Sequence, residues 1–303
     1  MSGEITRYRG RFAPTPSGPL HFGSMVAAVG SFLDARSHGG SWLVRVDDLD
    51  PPRTVPGATD AILRCLEAFA MHPDGSVVYQ STRNDAYHAA LHKLRESGLT
   101  YPCACSRKEI GDTGLAGVDG AVYPGTCRQG LAAGRRARAL RLRCKGTVVE
   151  FDDGIQGHVR QDLQLEIGDF VVYRADHVFA YHLACAVDDA EQGVSHVVRG
   201  ADLIASTPRQ IHLQEVLGLP TPAYLHLPVA VDAAGVKLSK QTLAPPVDSN
   251  VPEAALARVL LFLGLPPPAE IRGAGLHELW TWAIQNWRRE RLPRARSIRA
   301  PVS

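Results

Sequence analysis

The first hundred residues alternate between strand-like and helix-like segments, and this alternation limits the possible folds more than any other feature of the chain. Short apolar segments at residues 8–12 and 41–46 predict strands, and helical apolar spacing at 22–38, 57–71 and 84–97 predicts helices. An order of strand, helix, strand and helix is typical of a parallel sheet whose strands are joined by crossover helices. We therefore predict an α/β fold.

The middle of the chain interrupts this alternation. Residues from about 101 to 168 carry cysteines, many glycines and a basic run, so we predict a small inserted domain there. The insert would separate two halves of the α/β domain, at residues 1–100 and 169–242. The remaining residues, 243–303, are expected to hold a helical segment over about 252–287 and an Arg-rich tail.

The composition excludes several classes of protein. Apolar residues make up 45% of the 303 residues and charged residues 21%, as in globular proteins, and the net charge of +2 indicates no partner by itself. The longest apolar stretch, 254–265, contains Arg258 and is too short for a membrane span. Residues 1–11 lack the apolar core of a secretory signal, and the six cysteines are sparse, so we expect a protein of the reducing cytoplasm.

A segment rich in glycine and proline, residues 16–24, lies between the first predicted strand and the first predicted helix. Glycine permits a tight turn there, and a helix N-terminus offers free N–H groups and a positive dipole end to a phosphate. His21, on the first helical turn, could donate a hydrogen bond to a phosphate oxygen. An ordinary turn before an ordinary helix is the alternative.

A second loop, residues 235–241, carries Lys237 and Lys240 on either side of a leucine and a serine. Lysine is a compact charge on a flexible stem, so two of them on a loop suit the binding of a polyphosphate. A solvated surface loop explains the same residues when they are considered alone.

Together the two motifs resemble the signatures of the class I aminoacyl-tRNA synthetases. The sequence His-Phe-Gly-Ser at 21–24 is similar to the HIGH signature, and Lys-Leu-Ser-Lys-Gln at 237–241 is similar to the KMSKS signature. Segments at 11–18, 44–53 and 169–202 resemble the glutamyl-type synthetases. The resemblance implies a Rossmann-like catalytic domain with a zinc-containing insert and a short C-terminal helical segment.

The length of the region after the second motif indicates which group of glutamyl-type synthetases the chain resembles. Only 63 residues follow Lys240, where full glutamyl-tRNA synthetases carry a large anticodon-binding region. The chain therefore resembles the shortened glutamyl-Q family, which activates glutamate without tRNA and transfers it to the queuosine base in the anticodon of tRNA(Asp). This implies ATP with Mg²⁺, L-glutamate and the queuosine-carrying anticodon arm as partners of a monomer. The alternatives are a truncated synthetase that charges a tRNA 3′ end and a non-catalytic synthetase-like binding module.

The resemblance also implies roles for individual residues. Those for catalysis are His21, Lys237 and Lys240, and those for ATP binding are His21, Gly23, Ser24 and Lys240. Those for glutamate binding are Arg11, Phe12, Ala13, Pro14, Thr15, Asp47, Tyr181 and Arg199. The family usually has Glu where this chain has Asp47, and Asp48 is the alternative in a different register. Arg199 could instead form a structural ion pair with Asp188, Asp189 or Asp202.

Three cysteines of the insert form a candidate metal site. Cys103, Cys105 and Cys127 could supply three thiolates to zinc, which prefers four tetrahedral ligands. On chemical grounds the fourth ligand could be Cys144, Asp112 or His158, whereas the family resemblance implies Tyr123. The resemblance thus predicts one Zn²⁺ per chain, held by Cys103, Cys105, Tyr123 and Cys127. Three reduced, buried cysteines without metal are the alternative.

Two clusters of basic residues predict contact with RNA. One lies at residues 135–145 of the insert and the other at 288–299 of the tail. Local basic patches on a nearly neutral protein suit contact with a phosphate backbone. For the tail, a disordered and solubilising end is the alternative.

Overall fold

The structure, a computed structural model, describes residues 7–238 and 245–301. Its strands are β1 (Arg9–Phe12), β2 (Ser41–Val46), β3 (Val78–Tyr79), β4 (Thr100–Cys103), β5 (Ala116–Gly117), β6 (Gly120–Ala121), β7 (Ala139–Leu142), β8 (Val148–Asp153), β9 (Gly157–Asp162), β10 (Val171–Tyr173), β11 (His196–Gly200), β12 (Ala223–Leu227), β13 (Val229–Val231) and β14 (Ser297–Arg299). Its helices are α1 (Phe22–Ser37), α2 (Ala58–Ala68), α3 (Asn84–Glu96), α4 (Arg107–Gly111), α5 (Leu163–Glu166), α6 (Tyr181–Glu191), α7 (Thr207–Leu217), α8 (Pro252–Phe262), α9 (Ala269–Arg272) and α10 (Leu276–Asn286). None of the helices in these ranges is long and apolar enough to cross a membrane.

Parallel strands from both halves of the chain lie side by side. Strand β1 pairs in parallel with β2, β2 with β3, and β11 with β12. The Ser195 N–H donates to the Arg9 carbonyl at 2.9 Å, which sets β11 beside β1. The predicted α/β fold with a parallel sheet is confirmed, and residues of both halves meet at the carboxyl ends of β1 and β11.

Helix α1 covers these strands and is buried over most of its length, from Met25 to Ala35. It approaches β12 closely at Gly30, where any Cβ atom would collide with the Leu227 side chain. The absence of a side chain at this position therefore allows the helix to pack onto the sheet. This contact sets the N-terminus of α1, the predicted phosphate site, at the edge of the parallel strands.

The insert is built from antiparallel strands. Strands β4, β7 and β10 form one sheet in the order β10-β7-β4, and β8 and β9 form a separate hairpin. Strand β10 lies beyond residue 168, so this sheet crosses the predicted end of the insert. The division of the chain at residues 100, 168 and 242 stays a prediction.

The C-terminal segment predicted to be helical over about 252–287 is divided into separate helices. It forms three helices, α8 to α10, because Gly264 adopts a left-handed φ of +79° and the three prolines at 266–268 cannot continue α8. The tail then pairs in parallel with β13 through β14. A disordered end is therefore wrong for the tail residues that the structure describes.

Candidate active site and cysteine cluster

The two predicted phosphate motifs lie against each other. His21 caps α1: its Nδ1 accepts from the Ser24 N–H at 3.2 Å, and its Nε2 lies 2.9 Å from the Ser24 Oγ. A Cβ atom on Gly23 would lie 3.1 Å from the Leu238 carbonyl oxygen. The backbone of the second motif therefore reaches the N-terminus of α1, and Gly23 leaves room for it.

Of the two lysines in the second motif, the structure describes Lys237. The Lys237 ammonium lies 2.5 Å from a carboxylate oxygen of Asp202, directly after β11. The next residue, Leu238, is held in place because its N–H donates to the Ala230 carbonyl at 2.9 Å. Lys240 lies outside the described residues, and its predicted role stays a prediction.

A buried group of alternating charges occupies the carboxyl ends of β1 and β2. Arg11 contacts the Asp189 carboxylate at 3.1 Å and 3.3 Å, and Arg45 contacts Asp189 at 2.6 Å and Asp47 at 2.9 Å. Burial alone would raise the pKa of Asp189, but Arg11 and Arg45 lower it to about 2. Both arginines are therefore held as cations by ionised partners inside the protein.

Asp47, one of the predicted glutamate-binding residues, is buried at this point. Its N–H donates to the Pro14 carbonyl at 3.0 Å, which fixes the segment Ala13–Thr15 after β1. Burial raises the pKa of Asp47 against the opposing effect of Arg45. The alternative residue, Asp48, is engaged elsewhere, because its carboxylate accepts from the Ser81 N–H at 2.8 Å and the Ser81 hydroxyl at 2.7 Å.

Arg199 has a different set of partners from the ion pair that the sequence left open. Its Nε lies 3.1 Å from His226 Nε2 and its Nη2 donates to the Thr207 Oγ1 at 2.7 Å. Its Nη1 is buried and has no hydrogen-bond partner among the described residues. The alternative ion pair is wrong, since the three acids proposed for it bind elsewhere: Asp188 binds Arg83, Asp189 binds Arg11 and Arg45, and Asp202 binds Lys237.

Tyr181 begins α6, and the residue is 37% exposed. The same helix carries Cys185, whose Sγ lies 3.7 Å from a carboxylate oxygen of Asp47. The first turns of α6 therefore lie beside the buried charges at the ends of β1 and β2. Arg199 lies on β11, the strand next to β1.

The three cysteines predicted to bind metal also converge. The sulfurs of Cys103, Cys105 and Cys127 all lie within 4.8 Å of one another. The Tyr123 hydroxyl oxygen lies 3.4 Å from Cys103 Sγ and 4.0 Å from Cys105 Sγ, and it accepts from the Cys127 N–H at 2.8 Å. Three sulfurs and one oxygen around a common centre form a donor set that fits a tetrahedral metal ion.

The other candidates for the fourth ligand do not join this group. Cys144 Sγ lies 3.7 Å from the Leu142 carbonyl, and His158 pairs with Asp152 on the β8–β9 hairpin. Among the described residues, the group around Cys103 that could hold a metal ion consists of the three cysteines.

A cation lies beside the cysteine cluster. Arg141 Nε donates to Cys103 Sγ at 3.2 Å, and its guanidinium lies 3.8 Å from the centre of the Tyr123 ring. Burial raises the pKa of the Cys103 thiol, but hydrogen bonds with Tyr123 and Arg141 outweigh it, so the pKa is lowered. At Cys105, burial and the contact with Cys127 raise the pKa to about 11. Arg141 therefore stabilises negative charge on the Cys103 sulfur.

The two arginine clusters are partly used inside the protein. In the insert, Arg135 pairs with Glu109 at 2.7 Å and Arg141 donates to Cys103, while Arg136 and Arg138 are exposed. In the tail, Arg289 pairs with the buried Asp34 at 2.8 Å. Only part of each predicted basic patch is thus available to an RNA backbone.

Sequence reasoning missed the partners of the predicted residues. Asp189 and Arg45 lay inside segments quoted for the resemblance, but nothing marked them as a buried ion pair. His226 and Asp153, which contact each other at 2.6 Å, carried no signal beyond an ordinary apolar strand and an ordinary hairpin. Residues such as these become visible only when segments distant in sequence are brought together.

Comparison with the sequence models of known families identifies the class of protein. The sequence model described as "tRNA synthetases class I (E and Q), catalytic domain" matches residues 7–273. The chain therefore belongs to the class I synthetases of the glutamyl and glutaminyl type. It is 56% identical to the glutamyl-Q tRNA(Asp) synthetase of Aromatoleum aromaticum, over 97% of this chain and 93% of the relative. It is 55% identical to that of Chromobacterium violaceum, over 98% of both chains, and it is a member of the glutamyl-Q tRNA(Asp) synthetase family.

A solved structure shares the fold. The glutamate tRNA ligase of Elizabethkingia meningosepticum, in complex with its amino acid, superposes with a TM-score of 0.79 at 24% identity. The match covers 97% of this chain and 67% of that chain. The class I synthetase catalytic fold that the resemblance implied is thereby confirmed.

Proposed function

We propose that the protein activates L-glutamate with ATP in the absence of tRNA and then transfers the glutamate to queuosine in the anticodon of tRNA(Asp). The observation that supports this most directly is the buried Nη1 of Arg199, which lacks a partner among the described residues. Arg199 lies near the carboxyl end of β11 and Asp47 directly follows β2, at the edge of the parallel strands where ligands of such sheets bind. Membership of the glutamyl-Q family supplies the identity of the acceptor.

The first step needs positioning and charge stabilisation. The α-carboxylate of glutamate attacks the α-phosphate of ATP, which forms glutamyl-adenylate and releases pyrophosphate. His21, Lys237 and Lys240 would stabilise the developing negative charge, with Gly23 and Ser24 at the helix N-terminus contacting ATP. ATP would bring Mg²⁺ on its phosphates.

The second step moves the glutamyl group. A hydroxyl of the queuosine ring attacks the activated carbonyl carbon, the bond from that carbon to the bridging phosphate oxygen breaks, AMP leaves, and the hydroxyl proton is released to solvent. No covalent enzyme intermediate is needed, so neither Cys185 nor a serine is assigned as a nucleophile.

Glutamate would be held by charges of opposite sign at its two ends. Arg199 would pair with the side-chain carboxylate, since a guanidinium matches the geometry of a carboxylate. Asp47 would face the ammonium group; as its side chain is one methylene shorter than Glu, a water could bridge the contact. The remaining contacts are assigned to Arg11, Phe12, Ala13, Pro14, Thr15 and Tyr181.

We further infer that the cysteine cluster holds one zinc ion through Cys103, Cys105, Tyr123 and Cys127. A bound zinc would fix the insert in its folded form, as it does in small metal-binding domains. Arg141 would offset part of the negative charge of the ligands.

We propose that the active form is a monomer, and a tRNA substrate supports a cytoplasmic protein. The experiment is glutamylation of tRNA(Asp), with and without queuosine, by the full-length protein with labelled glutamate. We expect label only on the queuosine-containing tRNA, and exchange of labelled pyrophosphate into ATP without any tRNA. Label at a tRNA 3′ end, with none on queuosine, would support a truncated synthetase and overturn the proposal.

A further inference from the structure

The guanidinium of Arg199 is held by a chain of buried groups that leads away from the site. His226, on β12, lies between Arg199 and Asp153: its Nε2 is 3.1 Å from Arg199 Nε, and its Nδ1 is 2.6 Å from the Asp153 carboxylate. The side chains of His226 and Asp153 have no solvent exposure. Neither residue contacts the other predicted glutamate ligands in the hydrogen bonds described above.

The geometry fixes the position of the proton on His226. Arg199 Nε can only donate, so His226 Nε2 has to accept, and the imidazole proton resides on Nδ1 facing Asp153. Burial lowers the pKa of His226 to about 4, so the ring is neutral at pH 7. Asp153 thus selects the one tautomer that can bind Arg199.

This arrangement leaves one edge of the guanidinium open. Nε is used by His226 and one hydrogen of Nη2 by Thr207, while Nη1 has no partner among the described residues. The open edge, formed by Nη1 and the second hydrogen of Nη2, presents two parallel donors. Two parallel donors bind a carboxylate better than a carboxamide, which has only one acceptor oxygen.

Asp153 itself is fixed before any ligand binds. One of its carboxylate oxygens accepts from the N–H groups of Ile155 at 3.0 Å, Gln156 at 2.9 Å and His226 at 3.1 Å. These bonds close the turn between β8 and β9 onto β12. The hairpin therefore supports the glutamate site from behind through a rigid contact.

We propose that Asp153 and His226 are positioning residues that orient Arg199 and thereby set the selectivity for glutamate over glutamine. This inference rests on the proposed function, because Arg199 has to face the substrate carboxylate. It assigns a role in substrate recognition to the β8–β9 hairpin.

The test is the Asp153→Asn variant of the full-length protein, assayed by pyrophosphate exchange. The asparagine carbonyl can keep the backbone contacts, but its NH₂ group would face Nδ1 and drive the proton to Nε2, against Arg199. We expect the KM for glutamate to rise about 10- to 100-fold, by analogy with the loss seen when an outer-shell partner of a metal-ligating residue is removed. The KM for ATP should change less than about twofold, and the preference for glutamate over glutamine should fall.

The matched control is Asp152→Asn, on the same hairpin, where the carboxylate is exposed and pairs with His158. It should leave both KM values unchanged. In parallel, ¹⁵N NMR of the imidazoles should show the wild-type His226 protonated on Nδ1 and the Asp153→Asn protein protonated on Nε2. Equal increases in the two KM values, or an unchanged KM for glutamate, would overturn the inference.

If Asp153→Asn does not fold, a comparison of the variants His226→Gln and His226→Phe tests the inference instead. Glutamine keeps an acceptor for Arg199 and phenylalanine does not, so the KM for glutamate should rise at least tenfold more in the phenylalanine variant; equal values would overturn the inference. A wild-type protein with no glutamate-dependent exchange would instead be a failure of the proposed function.

Discussion

At the residue scale, the site differs from an ordinary buried salt-bridge network in how its arginines are partnered. Arg11 and Arg45 are neutralised by Asp189 and Asp47 within the fold. Arg199 is instead held by the neutral groups His226 and Thr207, so no carboxylate among its described partners offsets its charge. A buried cation in that state favours an anionic ligand, because its own desolvation is otherwise uncompensated.

Replacement of Arg199 by lysine tests this directly. Lysine keeps the charge but not the fork of donors, and a lost hydrogen bond to a charged group costs about 1.5–3 kcal/mol. We expect kcat/KM for glutamate in pyrophosphate exchange to fall about 10- to 100-fold, while the KM for ATP changes little. Arg174→Lys, at a partly exposed arginine that pairs with Asp50 and Asp176, is the control and should behave as wild type. Unchanged glutamate kinetics in Arg199→Lys would remove this residue from the site.

The buried histidine predicts how stability depends on pH. The pKa of His226 is lowered by burial to about 4, against an ordinary value of 6.5. Below pH 6.5 the unfolded chain therefore binds a proton that the folded protein excludes, and stability falls as the pH falls towards 4. Between pH 7 and pH 5 the loss from this residue is about 2 kcal/mol.

Urea denaturation at the two pH values measures this loss, and the lowered pKa values of His182, His196 and His212 act in the same direction. The His226→Gln variant should lose less stability than wild type over the same interval. An equal or larger loss in the variant would show that His226 is not the group responsible.

The predicted ligands and their partners differ in how far sequence could identify them. His21, Gly23 and Arg199 were predicted because each lies in a short motif with a recognisable local pattern. Their partners were not, because the pairing of Arg11 with Asp189 joins residues 178 apart, and that of His226 with Asp153 joins residues 73 apart. A contact that depends on how whole elements pack leaves no local pattern in the sequence.

At the scale of elements, the tail connects two parts of the site. Strand β14 pairs with β13, and β13 leads into the loop with Lys237. The same tail is anchored on α1, where Asp34 accepts from Trp287 Nε1 at 2.9 Å and from Arg289 at 2.8 Å. The C-terminal segment thus supports both phosphate motifs, on α1 and after β13.

Loss of the anchor should destabilise the protein. Arg289→Ala would leave the Asp34 carboxylate, which is fully buried, with only the Tyr8 hydroxyl and Trp287 as partners. We expect a loss of about 1–3 kcal/mol in the free energy of unfolding. Arg291→Ala, two residues on and exposed, should change it by less than about 0.5 kcal/mol. Equal stability of the two variants would show that the anchor contributes nothing.

The insert offers a second test at this scale. Cys105→Ser should abolish binding of about one equivalent of zinc, because the site would lose a thiolate ligand. Hydrogen exchange should accelerate at residues 101–130 and stay unchanged in the parallel strands. Cys144→Ala, at a buried cysteine of the same insert outside the cluster, should retain the metal. Wild-type protein that folds fully without zinc would contradict the assignment.

Elements of the chain were predictable to different degrees. The ends of α1 and α3 agree with the predicted ranges to within one or two residues, because apolar spacing and the following glycines define them. The helical segment predicted over about 252–287 contains three helices, and the proline run at 266–268 marks one of the breaks between them. The parallel contact of β14 with β13 had no sequence signal, since three residues of an arginine-rich tail lack strand periodicity.

At the scale of the whole molecule, the proposal requires the RNA to reach the glutamate site with its anticodon loop. Bases of RNA loops are commonly splayed out and bound in pockets, while phosphate contacts position the stem. The exposed arginines of the insert, Arg136 and Arg138, and those of the tail, Arg294 and Arg296, are available for such contacts. Transfer should therefore weaken with rising salt much more than pyrophosphate exchange, which needs no RNA backbone.

The most direct test uses an isolated anticodon stem-loop of tRNA(Asp) and labelled glutamate. The account predicts that the stem-loop carrying queuosine accepts glutamate and that the same stem-loop carrying guanosine does not. The isolated stem-loop lacks the acceptor stem of the tRNA. Labelled glutamate that becomes attached to it is therefore expected to be on the anticodon. If it stays unlabelled while the 3′ end of intact tRNA(Glu) is glutamylated, the central claim is contradicted.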